Sequence, residues 1–199
     1  MTKRLHQTIT IITALVVITG LCSCASPVKR TGQEAPRTRP KPKVIVVDLE
    51  RKMHVLINEE RRKQGLQLLE WNNALVRIAG SHSRDMAKRN YFDHYSPEGR
   101  DFSYRYRQEG FACAVREGKT IHMGAENIAL NHLYGSVTTV NNVAFYDWNS
   151  GDRIAETTVQ GWMKSPGHRK NIFSPYFKSE GIGVVISPDD KVYVTQNFC

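Results

Sequence analysis

The side chains with the most specific chemistry in this 199-residue chain are its four cysteines. In Leu21-Cys22-Ser23-Cys24 an aliphatic residue stands three positions before Cys24 and a small one directly before it, the pattern of a cysteine that receives lipid on its thiol after export. Cys22 does not fit, because the bulky Leu21 precedes it. The segment ahead reads as an export signal: Lys3 and Arg4 make a basic start, and Ile9 to Leu21 make an apolar run. That run falls short of the roughly 20 apolar residues a spanning helix needs. An ordinary signal peptide cut near Ala25 is the alternative. Ala25 after the anchor cysteine favours the outer membrane or cell surface as the destination. Export implies an extracytoplasmic, oxidising setting. There Cys113 and Cys199 could join in a disulfide closing a loop of roughly 85 residues, or stay as two free thiols.

No other local motif carries a reaction. The chain has no Gly-x-Ser-x-Gly elbow and no His-Glu-x-x-His pair, and neither Cys113 nor Cys199 adjoins a recognisable base. The net charge of +9 is unevenly spread: eight lysines and arginines lie in residues 1–44 with Glu34 as their only acidic companion. The remainder is close to neutral, so no nucleic-acid partner is expected. Residues 25–43 hold four of the eight prolines and read as a tether that reaches up to roughly 60 Å when extended. The organisation that follows is a signal peptide at 1–23, a lipidated Cys24 with a Pro-rich basic linker at 24–43, and one domain at 44–199.

The elements of that domain follow from periodicity. Val46, Leu49, Met53, Leu56 and Ile57 share a helical face, with Glu50, Arg51, Glu59 and Arg61 largely off it, and Gly65 stops the helix. Asn72 and Asn73 can cap a second helix with Leu75, Ile78, Ala79, His82 and Met86 inward, which gives His82 a structural, hydrogen-bonded role. Tyr91 to Arg100 reads as a loop, followed by a short helix to Gln108 and an irregular stretch to Gly124. Ala125 to Leu130 reads as a central strand, and residues 131–151 as an insertion of undetermined structure. Asp152 can cap a helix with Ala155, Val159 and Trp162 on one face, ended by Pro166-Gly167. Gly181 to Ser187 and Lys191 to Phe198 alternate around Pro188-Asp189-Asp190 as a β-hairpin. Helices first and a closing hairpin indicate an α+β layered domain.

Six blocks in order give these elements a family resemblance: NEERRKQGLQLLEW (58–71), SHSRDM (81–86), Phe92-Asp93-His94 with Pro97-Glu98-Gly99, GAENIA (124–129), GWMKSPGHRKN (161–171) and YVTQNF (193–198). The series resembles the bacterial branch of the CAP superfamily of cysteine-rich secretory, antigen 5 and pathogenesis-related 1 proteins. The resemblance implies a three-layer αβα sandwich with a cleft, which in eukaryotic members is lined by two histidines and two glutamates. Carried over, His94 matches the first histidine and Glu126 the first glutamate, while His168 lies near the second glutamate. The second histidine falls at Tyr193 or its neighbour, with Gln196 on the same closing strand of the cleft. This chain therefore departs from the four-residue set. Two imidazoles and a carboxylate, His94, Glu126 and His168, would suit a divalent metal, zinc above all. The same residues could serve a hydrolase with Glu126 or a histidine as general base and Ser165 or Ser96 as a nearby hydroxyl. The other reading, which has no need of a nucleophile, is a binding module for a lipid or sterol-like molecule, an envelope polymer or a host or partner protein.

Overall fold

The computed structural model describes residues 40–199. The signal segment, Cys24 and nearly all of the linker lie outside the described residues.

A four-stranded sheet in the order β1-β7-β8-β4 forms the middle layer, from β1 (Glu70–Trp71), β4 (Ala125–His132), β7 (Ser179–Ile186) and β8 (Lys191–Phe198). Pairing is antiparallel for β7 with β8 and for β8 with β4, and parallel for β1 with β7. On one face lie α1 (Val46–Lys63), α4 (Gly151–Lys164) and α5 (Pro166–Ile172), whose Leu49, Met53, Ile57, Ile154, Val159 and Trp162 meet Ile182, Val184, Val192, Val194 and Phe198 in the main core. On the other face lies α2 (Asn73–Arg89), where Met86 packs on Ile128 and Tyr193. α3 (Phe102–Gln108) adds Tyr106 beside Leu75, Ile78 and Cys113. The arrangement is the expected α+β sandwich.

Two glycines set the distance between α2 and the sheet. A Cβ on Gly181 would stand 2.2 Å from Val76 N, and one on Gly183 would stand 2.1 Å from Gly80 N. Only bare backbone lets the helix lie this close, and Ser83 takes advantage of the contact by donating to Gly183 O at 2.8 Å. Asn72 caps α2 as expected, accepting from the backbone N–H of Ala74 and Leu75.

Several expectations need correction. Glu50 and Arg61 are buried. β1 spans two residues, so it leaves most of the outer edge of β7 bare, and Glu50 Oε1 accepts from Val184 N at 2.9 Å. Burial raises the Glu50 carboxyl above its usual range, offset in part by that N–H. Arg61 spreads its guanidinium over the carbonyls of Gln67, Ile172 and Ser174 at 2.6–2.9 Å, closing the C-terminal end of α5. Ser150, not Asp152, caps α4. Pro166 begins α5 as well as ending α4, because its fixed φ suits a first helical turn. The irregular stretch before Gly124 contains a small hairpin of β2 (Val115–Glu117) and β3 (Thr120–His122). The insertion at 131–151 is a second hairpin, β5 (Tyr134–Val140) with β6 (Val143–Trp148). Of the two alternatives open for Cys113 and Cys199, the disulfide is the one observed, with Cα atoms 5.6 Å apart across 86 residues.

Candidate functional site

Glu126 is the second residue of β4, and Gly124 just before it takes φ +98 under the Tyr106 ring and the Phe198 carbonyl. Any side chain at that position would meet those atoms at 2.7–2.8 Å. The strand therefore starts where its first inward carboxylate reaches both α2 and α3.

That carboxylate is 1 % exposed and fully engaged. Its Oε2 accepts from Arg105 Nη2 of α3 at 2.6 Å, and its Oε1 faces His94 Nδ1 at 3.0 Å and His82 Nε2 at 3.9 Å. Arg105 Nη2 also donates to the His94 carbonyl at 3.0 Å, and His82 Nε2 lies 3.0 Å from the Asp93 carbonyl. Two buried side chains thus pin the loop on either side of His94. Asp93 Oδ1 accepts from Tyr95 N and completes the turn. Burial lowers the His82 pKa, which outweighs the pull of Glu126, so His82 is a neutral donor; its inward, hydrogen-bonded placement agrees with the sequence reading.

His94 is the member that meets solvent, its side chain 43 % exposed in a cleft of about 350 Å³ shared with Tyr95, Asp101, Phe102 and Asn171. With Nδ1–H turned to the carboxylate, Nε2 is the ring nitrogen that has no hydrogen-bond partner among the described residues. His168 of α5 is half-buried, and burial followed by the neighbouring His94 imidazole lowers its pKa. Its carbonyl, not its ring, is bonded, accepting from Asn127 at 3.2 Å. Asn171 holds α5 to the strand through the Glu126 carbonyl at 3.3 Å and Asn127 Oδ1 at 2.8 Å.

The two further cleft assignments do not hold. Alternate residues of a strand point to opposite faces, and Tyr193 and Gln196 are three apart. Tyr193 is buried against Met86 and Ile128 under α2. Gln196 is buried on the other face, donating to Glu180 Oε2 at 2.5 Å and accepting from Asn127 at 3.0 Å. Glu180 continues that buried network to His54 Nδ1 at 2.6 Å.

A three-ligand metal centre does not fit this arrangement. Both oxygens of Glu126 are held, and a guanidinium 2.6 Å away already neutralises the charge a cation would seek. Among the described residues no three His, Cys, Asp or Glu side chains are grouped to hold an ion. Nor is a hydroxyl paired with His94 among them: Ser96 Oγ donates to Glu98 Oε2 at 2.8 Å, and Ser165 sits between α4 and α5. What the site offers is one imidazole with a fixed tautomer, backed by a carboxylate–guanidinium pair. Asn197, the cross-strand partner of Glu126, is fully buried with neither amide atom paired among the described residues, and Arg105 Nε is likewise unpaired.

Arg105, Asn127 and Asn171 were missing from the residues singled out by sequence. Asn127 and Asn171 lie inside the GAENIA and GHRKN blocks, so adjacency to Glu126 and His168 was the available signal. Arg105 is one of two arginines on a seven-residue helix, and no spacing marks it.

The family model of the cysteine-rich secretory protein family, CAP, matches residues 55–198. The chain is 33 % identical over 166 residues to the uncharacterized protein YkwD of Bacillus subtilis, covering 80 % of this chain and 53 % of YkwD. It is 32 % identical over 156 residues to the uncharacterized membrane protein YlbC of the same organism, covering 78 % of this chain and 36 % of YlbC. The chain thus spans about half, or about a third, of these relatives' length. An extracellular protein with an SCP domain from Bacillus anthracis superimposes with a TM-score of 0.57 at 29 % identity, over 82 % of this chain and 44 % of that one. With ordered motif blocks, the layered fold and the family match in agreement, this chain belongs to the CAP, or cysteine-rich secretory protein, family.

Proposed function

We infer that this chain is an extracytoplasmic binding module, held on a membrane through lipid on Cys24, that takes its ligand at the His94 cleft. The observation that carries the reading is the engagement of both Glu126 oxygens by Arg105 and His94, which makes the carboxylate a fixed support and not a free base. Binding sites of this kind need few polar groups, each held rigidly beside apolar walls. His94 Nε2, Asp101 and Asn171 are such groups here, and Tyr95 and Phe102 supply the aromatic walls. That mixture favours an uncharged, hydroxyl-bearing ligand such as an envelope polymer over a lipid or sterol-like one. The Cys113–Cys199 disulfide supports an oxidising compartment. So do the extracellular description of the Bacillus anthracis protein and the membrane description of YlbC.

The test is retention of the full chain on purified envelope polymer, compared with His94→Ala. The reading expects retention by the wild type and its loss in the variant with unfolding midpoints unchanged. Equal retention of both removes the cleft from the reading.

A second reading is favoured by one contact. His94 Nδ1 against Glu126 at 3.0 Å is the pairing that orients an imidazole as a general base. A hydrolase of that kind would act on water directly. Turnover of a peptide or glycan library that His94→Ala abolishes would establish it, and absence of turnover with zinc, magnesium or calcium supplied would end it.

A further inference from the structure

The β5–β6 hairpin takes no part in the cleft. From Tyr134 to Tyr146 it has no charged side chain. It pairs with no other strand of the described residues, and both its faces meet solvent: Val137 is 43 % exposed on one and Val143 54 % on the other. A lone hairpin is marginal in water, and soluble proteins blunt long uncharged edges with charges or cover them. Yet this one is closely specified. Asn141 and Asn142 take φ 49 and 63, the left-handed pair of a tight two-residue turn. At its base Tyr146 stacks on Trp148 with centroids 4.9 Å apart, and Tyr134 stands edge-on to Tyr146 at 5.3 Å. Aromatic rings lie at the base and valines toward the tip.

The start of the domain gives the hairpin a direction. Lys41 lies over the Trp148 ring, 5.7 Å from its centroid, and its ammonium pairs with Asp190. Asp190 in turn accepts from Leu133 N at 2.8 Å, at the entry to β5. The chain that precedes residue 40, with Cys24 in it, therefore joins the domain beside the base of the hairpin. Hairpin and tether share one end.

We propose that the β5–β6 hairpin is a membrane-interface element that seats its valine tip and its Tyr-Trp base among the headgroups of the bilayer holding the tether. The inference rests on the membrane-held reading above. Tyr and Trp prefer that level because each has an apolar body and a polar edge. The unpaired strand edges set the depth, since water and headgroups satisfy them and hydrocarbon does not. Near the base Lys41 is matched with Asp190 and Lys191 with Asp189, while Asp147, between Tyr146 and Trp148, has no ion-pair partner among the described residues. No unmatched cation there draws the hairpin to anionic headgroups, so the contact is one of aromatic and apolar surface that high salt does not weaken.

The full chain is added to vesicles of phosphatidylethanolamine and phosphatidylglycerol, plain or brominated near the top of the acyl chains, and tryptophan emission is read. The expected result is a loss of emission on brominated vesicles that Trp148→Phe lacks, that Val143→Asp reduces, and that high salt leaves in place. Val143 is exposed at the turn, so its variant reads the contact without touching the core. If the wild type stays bound and its emission is the same on both vesicles, the hairpin contact is overturned and the anchor stands. If Cys24→Ser binds and is quenched as the wild type is, the hairpin contact stands and the anchor falls. Unquenched chains that self-associate through the hairpin, reversed by Val143→Asp, would assign it to a second copy and overturn the proposal.

Discussion

Glu126 and Arg105 are best weighed as a pair, since the carboxylate is 1 % and the guanidinium 13 % exposed. Removing one partner of a buried ion pair strands the other without solvent, which typically costs about 3–5 kcal/mol. Arg105→Met is therefore expected to lower unfolding stability by about that amount in urea at neutral pH. Adding Glu126→Gln to the same chain should recover much of the loss. His82 predicts a pH dependence. Its folded pKa lies below the ordinary 6.5, so the unfolded chain binds a proton first as pH falls. Stability tied to His82 is complete above that value and is lost through and below it, at no more than about 1.4 kcal/mol per pH unit. Urea midpoints at pH 7.5 and 5.5 measure the slope, which His82→Gln should flatten. If the variant loses stability on acidification as the wild type does, the slope belongs to other groups. His94 and Glu126 were legible through their motif blocks, whereas Arg105 was not, because a contact across 21 residues leaves no mark on local spacing.

Among the elements, α2 and β7 depend on one another most tightly. Gly183→Ala would set a methyl 2.1 Å from the Gly80 backbone nitrogen, and neither neighbour is a flexible side chain that can yield. The cost should be at least about 3 kcal/mol, at the upper end for overpacking. Because α2 carries His82, the loop at His94 should loosen as well, visible as faster amide exchange from Tyr91 to Ser96. The amphipathic faces of α1, α2 and α4 and the closing hairpin were legible because a period of 3.6 or 2 is written directly into side-chain type. Glu50 and Arg61 broke the pattern on α1: their polarity signals an outer face, while their partners are main-chain groups of a distant strand and helix end. The hairpin at 134–148 also escaped, since Asn141-Asn142 acts as a turn only once both residues take positive φ.

At the scale of the whole molecule, the Cys113–Cys199 disulfide ties the end of β8 to the segment leading into β2. A closed loop of this size constrains the unfolded chain by about 4–5 kcal/mol in the chain-entropy description. Reduction, or Cys199→Ser, should lower the thermal midpoint by a corresponding margin with the native circular dichroism retained below it. A midpoint unchanged by reduction would show that the bridge adds nothing to the folded chain. The family, the α+β class, the principal helices and the closing strands were determined by the sequence alone, for they rest on local periodicity and on motif order. Whether Cys113 and Cys199 pair, which side of β8 each residue faces, and what Glu126 holds were decided only by tertiary structure. Such contacts join residues far apart in the chain, and a strand's alternation assigns two faces without saying which helix covers either.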